Sequence, residues 1–107
     1  MTRVAFFLDA GVITGFSCKG HADDDAVQGH DLVCAAISAL TTTCVNALES
    51  VAGTPPDVRV DDGFLEARLP GGGNHDAQVL FRALRQGLED LRAAYPKHIR
   101  LTERVGS

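Results

Sequence analysis

The sequence lacks a basic excess, and this absence limits the partners expected for the chain as a whole. Lysine and arginine number 10 against 14 aspartate and glutamate residues, so the formal net charge is −4 over 107 residues. A general nucleic-acid-binding protein would instead carry a strongly basic surface. The composition therefore predicts no direct nucleic-acid binding, although net charge does not describe how the charges are distributed.

We expect neither a signal peptide nor a membrane span in this sequence. Asp9 interrupts the apolar start "MTRVAFFLDAGVITGF", and no small-residue cleavage site follows it. We expect no run close to the roughly 20 apolar residues that a bilayer-spanning helix requires. These absences predict a cytoplasmic protein with no membrane partner.

Cysteine is scarce, and the three residues present are irregularly spaced. An odd number without a regular spacing does not make a disulfide framework. In a reducing compartment each cysteine must be a core residue, a metal ligand or a nucleophile. Cys44 lies within an apolar helical stripe and is expected in the core, whereas Cys18 lies in a strand pattern and could face either way.

The remaining patterns predict one α+β domain covering residues 1–107, since this length leaves little room for two. Two strands, "RVAFFLDAG" and "VITGFSCKG", are followed by a polar segment and a helix from Asp31 to about Val51. A second hairpin turns at Asp62-Gly63, and a second helix covers about Asp76 to Tyr95. "HIRLTERV" could form a short last strand.

This order predicts two layers, with both helices on one face of a mostly antiparallel sheet. The other face would be bare, and a small domain would benefit from covering it by dimerising. "PGGGNH" is expected to be a flexible connector, with Asn74 as a possible helix cap. The apolar stripes that define the helices are Val33, Ile37, Leu40, Cys44, Leu48 and Val51 in the first, and Leu80, Leu84, Leu88, Leu91 and Tyr95 in the second.

Cys34 stands apart from the stripe of the first helix, in a row that continues through Ser38 and Thr41. If Asp31 is the N-cap, Cys34 lies in the first turn, where unbonded N–H groups and the helix dipole favour a thiolate. The negative charge of Asp31 would oppose ionisation, so a proton-accepting partner is needed. His21, which ends the second strand, and His30 are the nearby candidates.

Two other interpretations of these residues remain open. Cys18, His21 and Cys34 contain a Cys-x-x-His spacing that zinc accepts, although no second close pair of ligands accompanies it. Alternatively, Cys34 is an unreactive, partly buried thiol beside a polar loop.

The segments "GHA", Gly20 to Ala22, and "GHDLVCAAISAL", Gly29 to Leu40, resemble the ribosomal-processing cysteine protease family, Prp. The similarity extends over nearly the whole chain, including "DGFLEARL" and the second helix. It implies a small homodimeric protein without a cofactor. Such a protein removes an N-terminal extension from large-subunit ribosomal protein twenty-seven during ribosome assembly.

The resemblance also assigns roles to individual residues. Cys34 corresponds to the nucleophile and His21 to the general base. The residues that match other positions of the motif, and are candidates for supporting roles, are Gly20, Gly29, Asp31 and Ser38. For the chemistry itself, backbone N–H groups near Cys34 and Ala35 are expected to stabilise the oxyanion.

The sequence departs from the family pattern in the segment "ADDDAVQGHD" between the paired motifs, which is about one residue longer and acidic. That composition would suit a basic target, or it would indicate a different cleavage sequence. A non-catalytic dimeric binding module acting in ribosome assembly is the alternative from another functional class.

Overall fold

The computed structural model describes residues 1–20 and 30–106, and the side chains of His30 and Asp31 lie outside that description. The elements in chain order are β1 (Thr2–Asp9), β2 (Val12–Lys19), α1 (His30–Ser50), β3 (Asp57–Asp61), β4 (Phe64–Arg68), α2 (His75–Ala94) and β5 (Ile99–Val105). The predicted α+β fold is confirmed.

Both hairpins turn where the sequence places them. Between β1 and β2, Ala10 and Gly11 have φ values of 51° and 81°, the left-handed pair that a tight two-residue hairpin turn requires. Between β3 and β4 the turn is Asp62-Gly63, and φ of Gly63 is 67°. Glycine tolerates such values without steric cost, so each turn fixes the register of its two strands.

The sheet has the strand order β3-β4-β2-β1-β5. The pairs β1–β2, β2–β4 and β3–β4 are antiparallel, whereas β5 is parallel to β1. A parallel neighbour needs a crossover connection, and α2 supplies it by leading the chain back across the sheet. The last strand is therefore a seven-residue edge strand, longer than the short one expected.

The hydrophobic core lies between one face of the sheet and both helices, which confirms the two-layer prediction. Phe6 and Phe16 contribute from β1 and β2, with ring centroids 6.1 Å apart. Phe81 of α2 meets Phe16 edge-on, at 6.4 Å and 78°. Val33 and Leu48 of α1 are completely or almost completely buried in the same cluster. The core thus fixes both helices over the strands.

Two details of α1 differ from the prediction. The expected polar residue Thr41 is only 2% exposed, and its hydroxyl donates to the carbonyl oxygen of Ile37 at 2.9 Å. That bond within the helix satisfies the hydroxyl, so Thr41 can occupy a core position. Val51 lies beyond the helix and is 66% exposed, so the apolar stripe ends at Leu48.

The predicted flexible connector is instead an ordered turn, with a 3-10 segment at Pro70–Gly72. The Gln78 side chain holds it: its amide nitrogen donates to the carbonyl oxygens of Gly72 and Ile13, both at 2.8 Å. Asn74 caps α2 as predicted, accepting from the Ala77 N–H at 2.9 Å. Side-chain amides therefore order a segment that its glycines alone suggest is mobile.

One described helical stretch, Leu32–Ser50, is long and apolar enough to cross a membrane by length and composition. The expectation that no such run exists was therefore wrong. Core helices pass the same test, and Val33, Ile37, Cys44 and Leu48 belong to the core cluster. The stretch is weak evidence for a membrane span.

Candidate active site

Cys34 lies at the junction between the start of α1 and the start of β1. Its Sγ is half-buried and lies 3.9 Å from the hydroxyl oxygen of Thr2. Thr2 is only 4% exposed, and its backbone N–H donates to the carbonyl oxygen of His98 at 2.9 Å. The first residue of β1 is therefore fixed in the sheet, and its hydroxyl is held beside the thiol.

A cleft of about 330 Å³ opens over this thiol. Three parts of the fold meet there: the start of α1, the adjoining ends of β1 and β2, and the turn between β3 and β4. The lining residues are Thr2, Cys18, Gly20, Cys34, Ile37, Ser38, Asp62 and Gly63. The cleft thus brings residues from four segments of the sequence together around one sulfur atom.

Cys18 lines the same cleft but has a different electrostatic environment. Burial raises its pKa to about 11, and the negative charge of ionised Cys34 adds to the increase. Burial alone raises the pKa of Cys44, in the core, to about 12. None of the three cysteines forms a disulfide. Because a thiolate is the reactive form, Cys18 and Cys44 are poorly suited to act as nucleophiles, which leaves Cys34.

The metal hypothesis gains no support from the described residues. Within residues 1–20 and 30–106 no group of three or more His, Cys, Asp or Glu side chains is arranged to hold a metal ion. Cys18 and Cys34 do share the cleft, but His21, the third proposed ligand, lies outside the described residues.

Gly20 has a steric role at the edge of the cleft. Its φ is 139°, and a Cβ atom there would lie 2.6 Å from the carbonyl oxygen of Met1 and 2.8 Å from the Cα of Thr2. Its N–H donates to the carbonyl oxygen of Gly63 at 3.0 Å. Only glycine allows β2 to end this close to β1. The position predicted to support the site therefore controls the backbone that carries Thr2.

The start of α1 changes two of the predictions. The helix begins at His30, so Asp31 is its second residue and not the N-cap. The backbone N–H groups without helical partners then end at residue 32, because the N–H of Val33 makes the first bond of the helix. The N–H groups of Cys34 and Ala35 fall inside the hydrogen-bonded ladder, which makes them unsuitable as oxyanion donors.

The remaining predicted residues have mixed outcomes. Ser38 is exposed and lines the cleft one turn after Cys34, and its carbonyl oxygen accepts from the Thr41 hydroxyl at 3.3 Å. Ala35 is exposed but does not line the cleft. His21 and Gly29 lie outside the described residues, as does the Asp31 side chain.

Sequence reasoning missed Thr2 and Asp62, both of which line the cleft. Among the described residues that line the cleft, Asp62 is the one with a carboxylate side chain. The Asp62-Gly63 signal predicted a hairpin turn but not that the turn lies at the cleft. The position of the turn is decided by the pairing of β4 with β2. In this register Phe64 is opposite Lys19, so the turn lies beside Gly20. No local pattern in the sequence encodes that neighbour.

Comparison with known proteins identifies the family. The family model described as cysteine protease Prp matches residues 1–100. The ribosomal processing cysteine protease Prp of Staphylococcus aureus is 34% identical over 95 residues, covering 87% of this chain and 89% of the relative. The protein of that name from Bacillus subtilis is 31% identical over 103 residues, covering 91% and 90%.

Solved structures agree with this similarity. The essential ribosomal processing protease Prp of S. aureus, in complex with a substrate peptide, has a TM-score of 0.90 at 30% identity. The match covers 97% of this chain and 100% of that one. SMU.848 from Streptococcus mutans has a TM-score of 0.88 at 28% identity, covering 98% and 95%. The chain therefore belongs to the cysteine protease Prp family and is a cysteine-type endopeptidase.

Proposed function

We propose that this endopeptidase uses Cys34 as its nucleophile and His21 as its general base. The observation that carries the proposal is the half-buried Cys34 thiol, which opens into a cleft while burial keeps the neighbouring Cys18 protonated. Gly20, which lines that cleft, directly precedes His21 in the sequence. The support for His21 as the base is this adjacency together with the match of "GHA" to the family motif.

The reaction follows from these two groups. His21 accepts the proton of Cys34, and the sulfur attacks the carbonyl carbon of the scissile peptide bond. The C–N bond then breaks, the leaving amine takes the proton from His21, and a thioester on Cys34 remains. A water molecule attacks the thioester with His21 again as base, which releases the acid product and restores the thiol.

A solved relative supports the covalent step. The S. aureus protease has also been crystallised with a covalently linked product peptide, and that structure matches this chain with a TM-score of 0.86 at 31% identity. The oxyanion of the tetrahedral intermediate that precedes the thioester is proposed to be stabilised by donors other than the N–H groups of Cys34 and Ala35, which α1 already uses. The Thr2 hydroxyl, 3.9 Å from the sulfur, is placed to orient the thiol.

The proposed substrate is the N-terminal extension of large-subunit ribosomal protein twenty-seven, cleaved during ribosome assembly. The support is the family and the relatives' description as ribosomal processing proteases. We further propose that the enzyme acts in the cytoplasm as a homodimer. Sedimentation or light scattering would then give a particle of twice the 11.3 kDa chain mass.

The substrate proposal is tested with the precursor encoded in the same genome. The purified enzyme should shorten that ribosomal protein at one peptide bond near its N-terminus, detected by intact mass spectrometry. His21→Ala should stop the cleavage, whereas His75→Ala, on the exposed first turn of α2, should not. An uncleaved precursor, or a genome whose ribosomal protein has no extension, would assign the enzyme to a different substrate.

A further inference from the structure

The face of the sheet opposite the helices carries a groove lined by cationic side chains. Strand pairing sets its side chains in rows that cross the sheet. From β5 to β4, one row contains Arg100, Arg3, Lys19 and Phe64, the next Thr102, Ala5, Ser17 and Glu66, and the third Arg104, Phe7, Gly15 and Arg68. Long cationic side chains therefore stand on both sides of a row whose residues on β5, β1 and β2 are small, with Glu66 at its β4 end.

The dimensions of the groove follow from this arrangement. The two cationic rows are four residues apart along each strand, which is about 13 Å. The small side chains of Ala5, Ser17 and Thr102 form the floor between them. The resulting cavity has a volume of about 490 Å³. A groove of this width and length fits one extended strand lying across the sheet.

The charge of the groove is strongly asymmetric. Arg3, Lys19, Arg100 and Arg104 line it and are exposed, and none forms an ion pair with a described residue. Glu66 is the acidic residue of the lining, and it already pairs with Arg59 at 3.6 Å and Arg68 at 3.7 Å. A chain with a net charge of −4 thus concentrates positive charge on this face.

Stacking on an aromatic ring fixes part of one wall. The guanidinium carbon of Arg68 lies 3.8 Å from the ring centroid of Phe7, and that of Arg104 lies 5.9 Å away on the same ring. Phe7 is only 1% exposed although no helix of the described residues covers this face, because these side chains lie over it. Cation–π contacts hold the guanidinium groups in place before any ligand binds.

A second copy of the chain is a poor occupant for this face. A two-fold contact would set the same surface against itself and bring the cationic rows together. Repulsion between like charges would oppose that contact. A polyanion instead finds cations along both walls, and guanidinium groups match the geometry of phosphate.

We propose that this groove binds a single strand of RNA through its phosphate backbone. The hydroxyl groups of Ser17 and Thr102 on the floor add donors and acceptors suited to the ribose 2′-hydroxyl. The expectation of no nucleic-acid binding rested on net charge, which does not reveal a segregated patch. The groove lies on the other face of the sheet from Cys34, so this proposal does not depend on the catalytic one.

The test is fluorescence anisotropy with the full chain and a labelled oligouridine of about 12 nucleotides. Arg100→Glu combined with Arg104→Glu changes one cation in each wall and should weaken binding at least about tenfold. The matched control is Arg82→Glu combined with Arg92→Glu, two exposed arginines of α2, which should change the affinity less than about twofold. Peptidase activity should be unchanged in both double variants.

Each alternative outcome overturns the proposal. No binding of oligouridine at low salt, or equal loss in the groove and control variants, removes the groove as an RNA site. Equal affinity for oligodeoxyuridine, which lacks the 2′-hydroxyl, would show that the groove does not contact the ribose hydroxyl and does not prefer RNA. A polyglutamate peptide of equal charge that binds as tightly would make an acidic protein the partner. Dissociation of a dimer by the groove variant would make this face a contact between copies of the chain.

Discussion

At the scale of single residues, the three cysteines differ in burial and in thiol pKa, and the folded environment sets these differences more than the neighbouring sequence does. Cys34 and Cys18 are both half-buried and line one cleft, but burial raises the pKa of Cys18 to about 11, and Cys44 lies in the core. The sequence placed Cys44 correctly because it belongs to a helical stripe. It left Cys18 open, since the direction of a strand residue depends on which neighbours pair with it.

Selective alkylation is the first prediction at this scale. At about pH 7 a thiol with a pKa of about 11 is ionised in only about one molecule in 10⁴, so Cys18 should react very slowly with iodoacetamide. Cys44, with a pKa of about 12, should react more slowly still. Peptide mass mapping should find the label on Cys34, and Cys34→Ser should abolish it. Comparable labelling of Cys18 would contradict this ordering.

Gly20→Ala is the second residue-scale prediction. The added Cβ collides with Met1 and with Thr2, which carries the hydroxyl beside Cys34. We expect a loss of about 1–3 kcal/mol in the free energy of unfolding and a larger loss of peptidase activity.

Gly53→Ala is the matched control for Gly20→Ala, because φ of Gly53 is 69° but nothing lies within 4 Å of its added Cβ. It bears backbone strain without the collision and should retain activity. Urea denaturation and peptide hydrolysis measure the two effects. Equal activity loss in both variants would show that the position of Thr2 is unimportant.

At the scale of elements, the sequence predicted the features that depend on neighbouring residues, namely turns and helix caps. The Asp62-Gly63 turn and the Asn74 cap appear as expected, since each depends on a few neighbouring residues. The ordered 3-10 segment Pro70–Gly72 was not predicted, because the side chain that holds it, Gln78, comes from α2. The parallel pairing of β5 with β1, and the approach of the second hairpin turn to Gly20, depend on contacts distant in sequence.

The docking of α2 gives a prediction at the element scale. Phe81 is fully buried and meets Phe16 edge-on, so Phe81→Ala should lower the free energy of unfolding by about 3–5 kcal/mol. Val79→Ala, two residues away and 42% exposed, should change it by less than about 0.5 kcal/mol. Chemical denaturation compares them. Equal effects would mean that α2 does not depend on this aromatic contact.

At the scale of the whole molecule, burial of a thiol makes stability fall in alkali. The Cys44 pKa is about 12 in the folded protein against 9.0 for the exposed thiol. Above pH 9.0 the unfolded chain loses this proton and the folded chain keeps it, so stability decreases as pH rises between these values. Below pH 9.0 the thiol is protonated in both states and contributes no slope.

Urea denaturation across that alkaline range tests the effect. Cys44→Ala should start from a lower stability but lose less of it as the pH rises, since it removes the titrating group. Parallel curves for the two proteins would show that ionisation of Cys44 does not contribute to alkaline unfolding.

The whole molecule also combines two faces with different tasks. One carries the helices and the cleft around Cys34, and the other carries the cationic groove. Composition could not reveal this division, because a net charge of −4 does not show where the basic residues lie. Strand register separates them, and register is set by pairing across the sheet.

The most direct test of the catalytic account compares two cysteine variants in one assay. Cys34→Ala and Cys18→Ala each remove one sulfur from the same cleft, and both are assayed for cleavage of the N-terminal peptide of the ribosomal protein precursor. The account predicts that Cys34→Ala has no detectable turnover while its fold is intact by circular dichroism, and that Cys18→Ala still cleaves. Turnover by Cys34→Ala at the wild-type rate would contradict it.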